Sequence, residues 1–295
     1  MIQKSLKTVL FLLFVTASAF AAENFRLEKV SESVYATIPV SGGMAFANST
    51  FIVLDDGILV VDSQSSRELS EEVIAMIKKT TDKPIKYLVN THFHGDHIAG
   101  NTAFSPDVRL IVHPRTLDRF TQDKVPANYP IITVTAEMDF VYPGKKVQIL
   151  WMGRGHTEGD LIVYVPGEEV IITGDLFFNQ IIPYAKDSHI GQWLATIQRI
   201  MLNLKFQKII PGHGEVSGLT EFRQFRELLA WAKAVADAEI KKGTMREKII
   251  ERAKETELYK TRIVNYRNQE GLSDLLDIAF QEIQRSRGNK QNVQQ

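Results

Sequence analysis

The sequence contains no cysteine. That absence excludes disulfides, thiolate metal ligands and a cysteine nucleophile, so any bound metal must be held by nitrogen and oxygen. An excess of either charge is also missing: Lys+Arg and Asp+Glu both count 35. Such a balance recommends neither nucleic acid nor an anionic membrane surface as a partner. The apolar run Thr8 to Val15 falls well short of the ~20 residues that span a bilayer. What remains is ordinary for a soluble enzyme: 295 residues, 44% hydrophobic and 24% charged, enough for one large core or two medium ones.

Lys4 and Lys7 precede that apolar run, and Ala19-Phe20-Ala21 follows it. This is the layout of a cleaved signal peptide over residues 1–21. With no cysteine after the run, no lipid attachment is expected there. The mature chain is expected to start near Ala22, with no membrane anchor, and to be periplasmic or secreted.

From about Phe25 to Glu215 the chain alternates short apolar runs with Gly, Pro and Asp. Val34–Ile38, Thr50–Leu54 and Ile58–Val61 read as strands, with Asp55-Asp56-Gly57 as a hairpin turn. Ile85–Val89, Leu110–Val112, Val147–Trp151, Leu161–Val165, Val170–Thr173 and Lys208–Ile210 extend the set, while Ser70–Lys79 and Ile190–Leu204 have a helical period. After Gly218 the texture is helical: Phe222, Phe225, Leu228, Leu229, Ala232 and Val235 recur at i, i+3, i+4. Gly243 stops that helix, Thr244-x-x-Glu247 has the form of a capping box opening a second, and a third is expected from Leu272 to Gln284. The expected domains are a mixed α/β sandwich over 22–217, a helical extension packed on it over 218–287, and a disordered polar tail over 288–295.

Three of the seven histidines fall in Thr91-His92-Phe93-His94-Gly95-Asp96-His97. A strand ending at Asn90 would aim His92 and His94 to one side, with Asp96 and His97 on the following turn. Four such residues at this spacing can face one or two metal ions. Gly155-His156-Thr157, Gly174-Asp175 and Gly212-His213-Gly214 are each placed at a strand end, in a turn where backbone can approach a metal closely.

His-x-His-x-Asp-His followed by Gly-His-Thr, Gly-Asp and Pro-Gly-His-Gly resembles the signature of the metallo-β-lactamase superfamily over roughly Phe25 to Val216. The resemblance implies an α+β fold, a four-layer αββα sandwich with metals in a cleft at one edge of the sheets. It implies two zinc ions, one held by His92, His94 and His156 and the other by Asp96, His97 and His213, with Asp175 bridging; iron or manganese is the alternative metal. Asp62 matches the first motif as support for a ligand. A metal-activated hydroxide would attack a carbonyl carbon, with Asp96 orienting the water and handling a proton. Thr157 is expected to steady His156.

Two positions depart from the antibiotic-hydrolysing group: Asp175 stands where one large subset has cysteine, and Phe178 where that subset has a substrate-binding lysine. The expected activity is therefore hydrolysis of an ester, lactone, thioester or amide of a small-molecule substrate by a monomeric or weakly associating enzyme. The alternatives are β-lactam hydrolysis as the main activity, an iron-dependent persulfide dioxygenase, and a non-catalytic metal-binding accessory protein. Met44 and Phe46 lie where relatives carry a loop over the metals. Trp193 and His113 read as structural, and His189, Tyr184 and Asn179 as residues that could line the cleft.

Overall fold

The computed structural model describes residues 24–126 and 128–292; the expected signal peptide lies outside them. The first sheet has seven strands in chain order: β1 (Phe25–Lys29), β2 (Val34–Pro39), β3 (Ser49–Val53), β4 (Ile58–Val61), β5 (Ile85–Val89), β6 (Arg109–Val112) and β7 (Ile131–Thr133). Its first four strands pair antiparallel and the rest are parallel. Helices α1 (Arg67–Thr80), α2 (Gly95–Ile98) and α3 (Pro114–Gln122) belong to this half. The second sheet contains β8 (Glu137–Tyr142), β9 (Lys145–Trp151), β10 (Leu161–Val165), β11 (Val170–Phe178) and β12 (Lys208–His213), in the order β12-β11-β10-β9-β8. Helix α4 (Ile190–Asn203) links β11 to β12, and α5 (Leu219–Lys241), α6 (Ile249–Glu255), α7 (Glu257–Thr261) and α8 (Gly271–Asn292) complete the chain.

Continuous apolar runs become strands here because both faces are covered. In β4, Leu59 and Val61 point into the core between the sheets, while Ile58 and Val60 pack outward with α1 and α3. In β10, Leu161, Val163 and Val165 face the inter-sheet core, whereas Ile162 and Tyr164 face the helices of the other side. The result is the expected αββα sandwich, with a C-terminal helical extension. Phe222 and Phe225 of α5 meet Phe177 of β11 at 5.2 and 5.6 Å between ring centroids. Full burial of each ring contributes about 1.5–3 kcal/mol, which holds the extension against the second sheet.

Several local expectations change. Thr244 opens no capping box: its hydroxyl donates back to Glu239 at 2.7 Å, and the next helical turn starts after Met245. The carboxylate of Glu239 is buried and also takes Lys242, so it outcompetes a forward cap. Helix α8 continues through Asn292, into the stretch expected to be disordered. Strand β11 runs on to Phe178, so Asp175 sits inside a strand, beside a register shift at Gly174. His97 and Asp96 lie on the one-turn helix α2, not on a plain turn.

Candidate metal centre

The ends of β4 and β5, the β9–β10 loop, β11 and the end of β12 meet at one edge of the two sheets. They bring His92, His94, Asp96, His97, His156, Asp175 and His213 together. His92, His94, His156 and Asp175 form one cluster able to hold a metal ion, and Asp96, His97 and His213 form a second. Asp175 faces both. Its Oδ2 lies 3.2 Å from His156 Nε2 and 3.6 Å from His92 Nε2, while its Oδ1 lies 3.2 Å from His97 Nε2 and 3.3 Å from His213 Nε2. Asp96 Oδ2 is 3.3 Å from His213 Nε2 and 3.5 Å from His97 Nε2.

These residues fit metal ions better than they fit one another. The ring nitrogens His92 Nε2 and His97 Nε2, and Asp175 Oδ1, are buried without a hydrogen-bond partner. Leaving such atoms unpaired costs about 1–3 kcal/mol each. His156 Nε2 and His94 Nδ1 point at each other across 2.8 Å. A tetrahedral zinc with bonds of about 2.0–2.1 Å spaces its ligands about 3.3 Å apart, close to the separations observed around Asp175.

Charge is balanced inside the site. Burial alone would raise the Asp175 carboxyl, but His97, His213, His92 and His156 hold it well below the usual carboxylate range. Burial opposes a charged His213, yet Asp175 and Asp96 push its pKa up to about 10. Asp96 is likewise lowered against its own burial by His97 and His213.

Supporting contacts orient the rings. Asp62, at the end of β4, holds a φ of +61°, a left-handed conformation that Asp tolerates better than most residues. Its carboxylate accepts from Thr91 N at 2.8 Å and Thr91 Oγ1 at 2.7 Å, and meets His97 Nδ1 at 2.8 Å. Gly212 is required by close approach: a Cβ there would overlap Asp175 Oδ1 and sit 2.8 Å from the Gly174 carbonyl carbon. Thr157 does not steady His156. Its hydroxyl donates to the buried Asp160 at 2.6 Å, and His156 Nδ1 has no partner.

Asp187 carries no motif and was invisible in the sequence. Its Oδ2 lies 3.0 Å from His94 Nε2, the nitrogen turned away from His156, and its Oδ1 lies 3.6 Å from Arg119 Nη1. The Arg119 guanidinium in turn sits 4.0 Å over the Phe93 ring. Carboxylates placed this way fix ring orientation and raise ligand basicity. Asp187→Asn is expected to weaken metal affinity about 10- to 100-fold, measured by competition with a chromophoric chelator. Equal affinity in the two proteins would contradict that role.

Of the other residues singled out, Phe46, Phe178 and Tyr184 line the cleft, whereas His189 lines a separate depression beside Glu158. Phe178 stacks on His213 at 4.9 Å, and Tyr184 meets the His94 ring edge-on at 5.2 Å. Asn179 is buried and bonds the Glu215 carbonyl at 2.9 Å. Trp193 is core, and His113 caps α3 by accepting from Arg115 N.

Comparison with known proteins identifies the family. The metallo-beta-lactamase superfamily model matches residues 42–213. Metallo-beta-lactamase type 2 of Bacillus sp. (strain 170) is 24% identical over 174 residues, 58% of this chain and 67% of that protein. Metallo-beta-lactamase IND-1 of Chryseobacterium indologenes is 26% identical over 234 residues, 74% of this chain and 96% of that protein. Among solved structures, the inverting sec-alkylsulfatase Pisa1 from Pseudomonas sp. superposes with a TM-score of 0.71 at 16% identity, covering 87% of this chain and 50% of that one. The chain therefore belongs to the metallo-beta-lactamase superfamily and is a metal-dependent hydrolase.

Proposed function

We propose that this protein is an exported, binuclear zinc hydrolase that cleaves an ester, lactone, thioester or amide carbonyl. The observation that carries the reading is Asp175, whose two carboxylate oxygens face two separate sets of donors. An all-nitrogen-and-oxygen donor set with several imidazoles suits zinc. When bound, the ions supply Lewis-acid polarisation of the carbonyl and a water acidic enough to react near neutral pH.

The chain's own groups do the rest. Asp96 approaches His97 and His213 most closely through Oδ2, leaving Oδ1 as the second oxygen of a part-exposed side chain at the cleft. That oxygen is free to orient the attacking water, accept its proton and hand it to the leaving group. Phe46, Phe178, Ile181 and Tyr184 give the substrate apolar walls and limit water around the reacting carbon. Export rests on the basic, apolar and small-residue succession of the first 21 residues.

The relatives' names favour β-lactams as one amide within this class. Phe178, buried and stacked on His213, offers no cation for a β-lactam carboxylate at the position where a lysine would serve. A chromogenic panel of ester, lactone, thioester and cephalosporin tests the reading on the zinc-loaded protein. Turnover of at least one carbonyl substrate is expected, abolished by chelation, restored by zinc and lost in Asp96→Ala. A folded, zinc-loaded protein that turns over none of them would contradict it.

A further inference from the structure

The cleft beside the seven clustered residues encloses about 880 Å3, the size of a small-molecule site. Its walls differ in chemistry. The segment from Pro39 to Phe46 lines one side without a single charged residue. The other side comes from the C-terminal extension and presents Arg267, Asn268 and Glu270. The helical extension thus does more than cover the sandwich.

Arg267 is the sole Lys or Arg among the lining residues. Among the described residues its guanidinium makes no ion pair or hydrogen bond, whereas the neighbouring Arg262 is paired with Glu227 at 2.6 Å. Its backbone, by contrast, is pinned. Arg267 N donates to the Gln180 carbonyl at 3.0 Å, and its own carbonyl accepts from Ile182 N at 3.0 Å. The Asn268 side-chain amide donates to the Ile182 carbonyl at 2.7 Å. Gln180 and Ile182 directly follow β11, the strand that carries Asp175. The Arg267 backbone is therefore anchored to the segment that directly follows the strand at the centre of the site, although it lies more than eighty positions away in sequence. Of the lining acids outside the metal-capable clusters, Glu215 is already paired with Arg26, leaving Glu270 on the turn after Arg267.

A planar cation with five donors, held at a cleft and left unpaired, matches a planar anion in a forked arrangement. We infer that Arg267 binds a carboxylate at the non-reacting end of the substrate, so that the preferred substrates are anionic acyl compounds. This rests on the proposed carbonyl hydrolysis and adds the substrate's charge to it.

The test compares two esters that differ only at the far end: the para-nitrophenyl monoester of adipic acid and para-nitrophenyl hexanoate. Zinc-loaded wild type is expected to favour the adipate ester in kcat/KM. Because Arg267 is exposed, screening keeps the effect modest, and Arg267→Ala is expected to lower the adipate-to-hexanoate ratio about ten-fold, mainly through KM. Arg267→Lys, which keeps the charge and loses the fork, should retain part of the preference. An unaltered ratio, or an equal fall for both esters with a lower melting temperature, would overturn the inference. Should wild type cleave neither ester, that counts against carbonyl hydrolysis. Calorimetric binding of adipate to the same zinc-loaded proteins then decides Arg267 separately: about ten-fold weaker binding in Arg267→Ala supports it, and equal affinity overturns it.

Discussion

Replacing Asp175 with alanine is expected to reduce bound zinc below one ion per chain and to lower kcat/KM for the best carbonyl substrate by about a thousand-fold or more. The expectation follows from where the two oxygens point. Oδ2 faces the His92 and His156 rings, and Oδ1 faces His97 and His213, so a single truncation removes an anionic donor from both clusters. What remains is five buried or part-buried imidazoles and Asp96, without the central counter-charge between the two clusters. Asp175→Asn separates charge from shape: it keeps the volume that Gly212 was shaped to admit, and its loss of metal should still be large. Full zinc occupancy in either variant, measured by elemental analysis, would show that the carboxylate does not bridge.

The second large effect is expected at Asp62, which is buried behind the cleft and does not line it. Asp62→Ala removes three partners at once: Thr91 N, Thr91 Oγ1 and His97 Nδ1. Thr91 and His97 are both buried, so no water replaces the lost carboxylate readily. The metal-free protein is expected to lose about 2–5 kcal/mol of stability by denaturant unfolding, because buried donors are left unsatisfied. The freed His97 ring should also cost about 10- to 100-fold in metal affinity. Unchanged stability together with unchanged affinity would remove Asp62 from the set of positioning residues.

The candidate ligands were legible because binding a metal imposes short spacings. His92 to His97 form a local pattern, and His156, Asp175 and His213 each follow or precede a glycine whose missing side chain allows close approach. Gly212 shows why: its neighbour is Asp175 itself. The double-faced strands β4, β10 and β11 were legible for a related reason, since burial on both sides leaves an unbroken apolar run.

Other features depend on distant partners and left no local trace. β1 and β8 lie at sheet edges with mostly exposed or half-exposed residues, so neither offers the unbroken apolar run that marks the inner strands. Asp187 reads as one more loop acid until folding sets it against His94. Thr157 failed in the opposite way, because a plausible local partner, His156, lost to the buried Asp160 three residues on. Arg267 entered the cleft through a backbone pairing between Gln180–Ile182 and the extension, which no periodicity announces.

The most direct test of a binuclear centre is the zinc and iron content of the purified mature protein, by elemental analysis per chain. About two zinc ions per chain are expected. One iron per chain, or a single zinc that does not rise when zinc is in excess, would contradict a site in which Asp175 joins two ions.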